Sequence, residues 1–210
     1  MSDLDEMLKA AGIADDAYAA VDPETFRSGF VTLVGRPNAG KSTLLNHIMG
    51  TKLAITSRTP QTTRHRFRAV YDTDDMQMII VDTPGIHKPK DALGAELNES
   101  ALQALADVDV VAFLIDASQP VGTGDEWIAS HINELSCHKI LVISKADLVK
   151  KPVIAERLEQ ARGLCDFDAE VVVSAKHNRG LDDFIDAVYD LLPTGPRWFP
   201  KDTGVDLSDE

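Results

Sequence analysis

Short continuous apolar runs stand at residues 29–34, 108–115, 139–143 and 170–173 of this chain, each closed by Gly, Asp or Ser. Runs of that length, without polar alternation, fit strands covered on both faces. Segments that read as helices, 41–49, 92–106, 125–135, 153–164 and 181–192, fall between and after them. Two further strands, 67–72 and 76–81, are separated only by Thr73-Asp74-Asp75. A connection so short forces an antiparallel hairpin. The pattern predicts an α/β three-layer fold: a mostly parallel six-stranded sheet with one antiparallel strand and helices on both faces. A sheet of this kind holds its ligand at the carboxyl ends of the strands.

Three stretches fall outside that alternation. Residues 1–28 read as an extension; Leu4, Met7, Leu8 and Ala11 have the spacing of a short amphipathic helix. Residues 51–66 are polar and rich in Thr, Arg and Pro, which reads as a long functional loop. After 192 the chain becomes a Pro-rich tail. Gly50 stands where a C-cap would end the first helix.

The composition of the 210 residues, 44% hydrophobic and 26% charged, is that of a globular domain. The N-terminus lacks the basic and apolar regions of a signal peptide, and no apolar run approaches the roughly 18 residues a membrane helix needs. The net charge of −13 is concentrated at the ends. Residues 1–28 carry seven acidic side chains against two basic ones, and residues 201–210 four against one. Broad, nonspecific binding to nucleic acid or anionic lipid is therefore disfavoured. Cys137 and Cys165 have no framework or metal spacing and read as core or half-buried thiols. His131, His138 and His177 likewise show no ligand spacing, and Arg64, His65, Arg66 and Arg68 read as a solvated basic stretch.

The chemistry concentrates at strand ends. Gly35-Arg36-Pro37-Asn38-Ala39-Gly40-Lys41-Ser42 follows the first strand, opens the first helix and fits G-x-x-x-x-G-K-[ST], the phosphate-binding P-loop. Its glycines let backbone N–H groups turn inward, and the helix that continues through Thr43 adds unpaired N–H groups and its positive dipole end. Lys41 supplies charge for β- and γ-phosphates, and the Ser42 hydroxyl is placed for Mg²⁺. Asp82-Thr83-Pro84-Gly85 ends another strand. Asp82 matches the aspartate that reaches Mg²⁺ through water, and the Gly85 N–H can meet a γ-phosphate. Ser144-Lys145-Ala146-Asp147 resembles the base-reading motif Asn-Lys-x-Asp. The Asp147 carboxylate can accept from N1–H and N2–H₂ of guanine, donors that adenine lacks, so ATP would leave it unpaired. The stem of Lys145 can lie over the base. Ser174-Ala175-Lys176 matches the second base loop, where a backbone N–H meets guanine O6. Ser144 stands where the motif has Asn; its shorter hydroxyl makes fewer contacts, so guanine preference is expected at lower affinity.

Taken in order, GRPNAGKS, PQTTRHR (60–66), DTPGIHKPK (82–90), SKAD and VSAKHNRG (173–180) resemble the bacterial Era GTPases over about residues 28–200. The second and third motifs are the specific ones; the sister families Der and MnmE share only the Thr-Arg core of the second. The resemblance implies a P-loop GTPase domain over 29–195, between an acidic extension (1–28) and a tail (196–210) at the start of a linker to a KH domain. It implies GTP and GDP as substrate and product, with Mg²⁺ held by Ser42, Asp82 and a threonine, Thr63 with Thr62 the adjacent alternative. Lys41, Thr63 and Gly85 would surround the γ-phosphate. Switch I falls at about 53–66 and switch II at about 82–97. Ile86 occupies the position of the water-orienting glutamine of many GTPases, so slow intrinsic turnover is expected. K⁺ at Asn38 is a further expectation. For the parent protein the resemblance implies small-subunit ribosomal RNA, a role in 30S assembly and a cytoplasmic location, and it allows peripheral association with the inner face of the cell membrane. No GXXG loop of KH type lies downstream, so RNA binding is implied for the parent protein rather than for this stretch. Two rivals are a nucleotide-dependent binding module with negligible hydrolysis and a P-loop kinase; DTPG and SKAD argue against the kinase.

Overall fold

The computed structural model describes residues 21–51, 54–55, 67–81, 105 and 107–199. Strand β1 (Arg27–Gly35) leads through the glycine-bounded loop into α1 (Lys41–Thr51). A two-residue strand β2 (Ala54–Ile55) precedes the hairpin of β3 (Phe67–Asp72) and β4 (Met76–Val81). Then follow β5 (Val110–Asp116), α2 (Thr123–Asn133), β6 (His138–Ser144), α3 (Lys151–Arg162), β7 (Ala169–Val172) and α4 (Leu181–Leu191).

The strands form one sheet in the order β2-β3-β4-β1-β5-β6-β7. β3 is antiparallel to both its neighbours, and every other pairing is parallel. The six expected strands are all present. β2 extends the sheet edge within the stretch that reads as a loop; two residues carry too little pattern to announce a strand. β4 is buried throughout and β5 and β6 nearly so, as continuous apolar runs require. On one face Leu44, Leu45 and Ile48 of α1 and Phe184 and Val188 of α4 cover the sheet. On the other, Ile128 and Ile132 of α2 and Ala161 of α3 do so, together with the buried Leu105. Each large aliphatic side chain buried in these layers contributes roughly 1.5–3 kcal/mol.

Two local expectations are corrected. Gly50 does not end α1, which runs to Thr51; Gly50 is not left-handed, as a glycine cap would be. The extension expected over 1–28 overlaps β1, because Arg27 and Ser28 pair with Met76 and Gln77, and Phe26 is buried. The amphipathic spacing at 4–11, the rest of the helix at 92–106 and the tail from 200 lie outside the described residues. So do both switch stretches, save the backbone of Ala54–Ile55. Cys137 is half-buried, Cys165 is buried, and both are free thiols.

Residues 193–199 pack against the start of β1. The Ser28 N–H donates to the Pro193 carbonyl at 3.0 Å, and Gly195 N–H to Phe26 O at 2.9 Å. Gln77, fully buried, accepts from the N–H groups of Trp198 and Phe199 at 2.8 Å each and donates to Phe199 O at 2.9 Å. Arg197, 6% exposed, pairs with Asp72, donates to Thr73 O at 3.1 Å, and lies over the Phe26 ring. Removing one partner of a buried pair leaves the other charge uncompensated. Arg197→Ala is expected to lower the unfolding free energy by about 3–5 kcal/mol, read from urea denaturation; a loss below about 1 kcal/mol would show the pair to be dispensable.

Candidate functional site

β1 lies between β4 and β5 at the centre of the sheet, so the chain diverges to both sides of it. The loops that leave the carboxyl ends of β1, β5, β6 and β7 meet there, at the topological switch point. The loop after β1 curls through Gly35 (φ 151°), Asn38 (φ 64°) and Gly40 (φ 98°), values in which glycine and asparagine are the least strained residues. Ala39 N–H closes the turn on the Arg36 carbonyl at 3.1 Å. The Lys41 ammonium donates to the Gly35 and Arg36 carbonyls at 2.6 and 2.9 Å. Burial pushes Lys41 below the ordinary lysine range, a cost that nearby anionic charge would offset. Ser42 and Thr43 are exposed at the start of α1.

Ser144, at the end of β6, is buried, and its hydroxyl donates to the Ala39 carbonyl at 2.6 Å, with Ile115 O at 3.2 Å. The loop after β6 is thereby joined to the loop after β1. Lys145 follows in a left-handed conformation (φ 55°), and its ammonium pairs with Asp116 at 2.6 Å. Burial alone would raise the Asp116 carboxyl, but hydrogen bonds from Lys145 and Ser118 hold it below the usual carboxylate range. Asp147 sits in a short 3-10 turn, Ala146–Leu148, and its Oδ1 accepts from the Ser174 hydroxyl at 2.6 Å. That bond, more than any other influence, holds Asp147 below the usual carboxylate range. The His177 ring lies 3.8 Å from the other Asp147 oxygen. The loop after β7 returns to α4 through Gly180 (φ 71°), where a Cβ would come within 2.1 Å of the Val172 carbonyl; only glycine fits.

These loops enclose a cavity of about 280 Å³ lined by Gly40, Thr43, Leu44, Ser144, Lys145, Asp147, Leu148, Val173, Ala175 and Lys176. One end is the phosphate-type loop and helix start; the other presents the Asp147 carboxylate. A flat group with a donor edge, followed by an anionic tail, matches that shape and charge. The structure thus brings together Gly35–Thr43 with Ser144, Lys145, Asp147, Ser174, Ala175 and Lys176. Thr63, Asp82, Thr83, Pro84, Gly85 and Ile86 lie outside the described residues. Among the described residues no group of three His, Cys, Asp or Glu side chains gathers to hold a metal.

The family model for 50S ribosome-binding GTPases matches residues 30–145. The chain belongs to this family. GTPase Era of Corynebacterium glutamicum is 43% identical over 183 residues, covering 86% of this chain and 60% of that protein. A crystal structure of Era in complex with MgGDPNP and nucleotides 1506–1542 of 16S ribosomal RNA superposes with a TM-score of 0.69 at 37% identity, covering 87% of this chain and 63% of that one. A variant of Aquifex aeolicus Era bound to GDP and AlF₄⁻ gives 0.68 at 37% identity, with the same coverage. This chain spans about 60% of the length of such relatives.

Two contributors to this candidate site escaped the sequence reading: Asp116 and His177. Asp116 ends the buried strand β5, and that position was a usable signal. Nothing local marked His177. The Asp147 pairing has a sign that can be checked. A carboxyl held low contributes stability above its ordinary value, lost as pH falls through the lowered one. Ser174→Ala is expected to make Asp147 titrate at higher pH, observed by NMR of its carboxyl carbon; an unmoved titration would assign the lowering elsewhere.

Proposed function

We propose that this GTPase-family chain binds guanine nucleotide with Mg²⁺ in the cavity between α1 and the loops after β6 and β7, hydrolyses GTP, and serves as a molecular switch. The observation that carries the reading is the Asp147 carboxylate, aimed into the same cavity as the P-loop and fixed by Ser174 at 2.6 Å. A carboxylate there pairs with the two donors of guanine and is left desolvated by adenine. Gly35–Thr43 would hold the phosphates, Ala175 and Lys176 would close on the base, and the Ser144–Ala39 hydrogen bond would keep the two halves in register.

The donors proposed for Mg²⁺ are hard oxygens, as that ion requires: Ser42 at the exposed start of α1, with Thr63 and Asp82. When bound, Mg²⁺ neutralises charge on the β- and γ-phosphates. Lys41 would add a second positive charge, and the Asp82-Thr83-Pro84-Gly85 motif would supply the Gly85 N–H to the γ-phosphate. Ile86 cannot orient water by hydrogen bonding, so catalysis rests on positioning and fixed charge, and slow turnover follows. Asn38, left-handed at the crest of the P-loop, is the proposed K⁺ ligand.

Residues 29–195 are read as the GTPase domain, to which β1 adds Arg27 and Ser28; the residues before Phe26 are read as an acidic extension, and 196–210 as leading towards a KH domain in the parent protein. The family description names the 50S subunit, whereas the solved Era complex holds 16S ribosomal RNA. The relatives at 37–43% identity are Era proteins, which favours the small subunit and 30S assembly for the parent protein. Among the described residues no helix is long and apolar enough to cross a membrane; the location proposed is cytoplasmic, with peripheral membrane contact by likeness alone.

Titration with GDP, a non-hydrolysable GTP analogue and ATP, each with Mg²⁺, is expected to show guanine binding and no ATP binding. Asp147→Ala should weaken GDP by at least about a hundredfold; comparable ATP and GTP affinity would remove the guanine assignment. Single-turnover hydrolysis in KCl is expected to exceed that in NaCl. Equal rates would remove K⁺ from Asn38, and no measurable turnover would favour a nucleotide-dependent binding module.

A further inference from the structure

Asp125 is a buried carboxylate, 2% exposed, and nothing in the proposed reaction uses it. It stands in the first turn of α2, on the opposite side of the P-loop from the base cavity. Its Oδ2 accepts from the Gly122 N–H at 3.0 Å, while its own N–H donates to the Gly122 carbonyl at 2.8 Å. The bond from Gly122 N–H, the N3 half of a capping box, fixes the carboxylate on the helix. The same Oδ2 accepts from Nη1 of Arg36 at 3.1 Å.

Arg36 belongs to the P-loop, and its backbone carbonyl is the centre of that loop's hydrogen bonding: it accepts from Ala39 N–H at 3.1 Å and from the Lys41 ammonium at 2.9 Å. The start of α2 is also shaped to the Arg36 stem. A Cβ on Gly124 would lie 3.3–3.4 Å from Cδ, Cγ and Nε of Arg36, closer than side chains ordinarily pack. Three features therefore converge on one side chain: a buried carboxylate, a glycine at the crossing point, and the loop carbonyl that organises Lys41. A helix cap alone would need only the first.

The surroundings separate this tie from its neighbour. Arg36, Asp116, Asp125 and Lys145 all line a second, polar cavity of about 300 Å³ beside the P-loop. Lys145 is paired with Asp116 at 2.6 Å and Arg36 with Asp125 at 3.1 Å, so each cation has its own carboxylate. Arg36 is 42% exposed along its side chain, so solvent weakens the pairing, whereas Asp125 is held from its own helix.

We infer that Asp125 is a positioning residue for nucleotide binding, acting from α2 through the Arg36 side chain to set the P-loop carbonyls that hold Lys41. The inference rests on the reading of the P-loop as the phosphate site. Arg36→Met keeps the stem and removes the charge. Asp125→Asn keeps an oxygen for the Gly122 N–H and removes the ion pair. GDP affinity with Mg²⁺, measured by displacement of a fluorescent GDP, and urea unfolding are to be compared for the full chain, both single variants and the double variant.

Each single substitution is expected to weaken GDP by about fivefold to tenfold, and the double variant to be no weaker than the worse single one. Arg36→Lys, which keeps the charge, should recover part of the loss. Single variants that bind GDP within about twofold of wild type, even if less stable to urea, would reduce Asp125 to a helix cap and overturn the inference. Losses that multiply in the double variant would overturn it as well, because the two residues would then act independently. A wild-type chain without GDP affinity would instead defeat the phosphate-site reading itself.

Discussion

Parallel pairing of β1 with β4 on one side and β5 on the other is the constraint on which this protein's chemistry depends. Parallel strands direct all their carboxyl ends to one edge of the sheet, and there the backbone must leave the ladder with its polar groups unpaired. Those groups are then available to each other and to a ligand. The loops after β1, β6 and β7 satisfy part of that demand among themselves, through Ser144 to Ala39, Ser174 to Asp147, and Lys41 to Gly35 and Arg36. The groups left over, the N–H groups at the start of α1 and one Asp147 oxygen, define what the cavity can accept.

The departure at Ser144 takes a different meaning in this setting. An asparagine reaches further, but the shorter hydroxyl still spans 2.6 Å to the P-loop because β6 brings its end directly beneath Ala39. What the serine gives up is reach towards the base, not the tie between the two loops. The geometry supports the proposal of weaker guanine affinity with the tie to the P-loop kept.

The two ends of the sheet carry different work. At the carboxyl edge, hydrogen bonds hold loops that must open to a ligand. At the opposite edge, Arg197, Asp72 and Gln77 fasten the segment after α4 to the turn and second strand of the β3–β4 hairpin. That hairpin lies in sequence between the two stretches read as switches, so the segment after α4 is anchored on the element that joins them.

Much of this was legible in the order of residues. The strands, the described helices and the hairpin are local events, set by runs and spacings within about a dozen residues. The P-loop and base-reading motifs are local too, since backbone curling and helix starts need particular residues at fixed offsets; Gly35, Gly40 and Lys41 could be assigned before any coordinates. Other features had no local mark. Arg36 meets Asp125 across 89 positions, Arg197 meets Asp72 across 125, and Lys145 meets Asp116 across 29. In sequence Arg36 and Lys145 are marked by their motifs, but nothing pairs any of these charges with its partner. Only the stacking of α2 beside the P-loop, the return of the chain to β1 and the register of β5 on β6 made them partners, because an ion pair forms wherever the fold delivers opposite charges and leaves no periodicity behind. The sequence alone determined every described element except β2 and where a P-loop pattern and a base-reading pattern stand; the tertiary structure decided which distant side chains hold those loops in place.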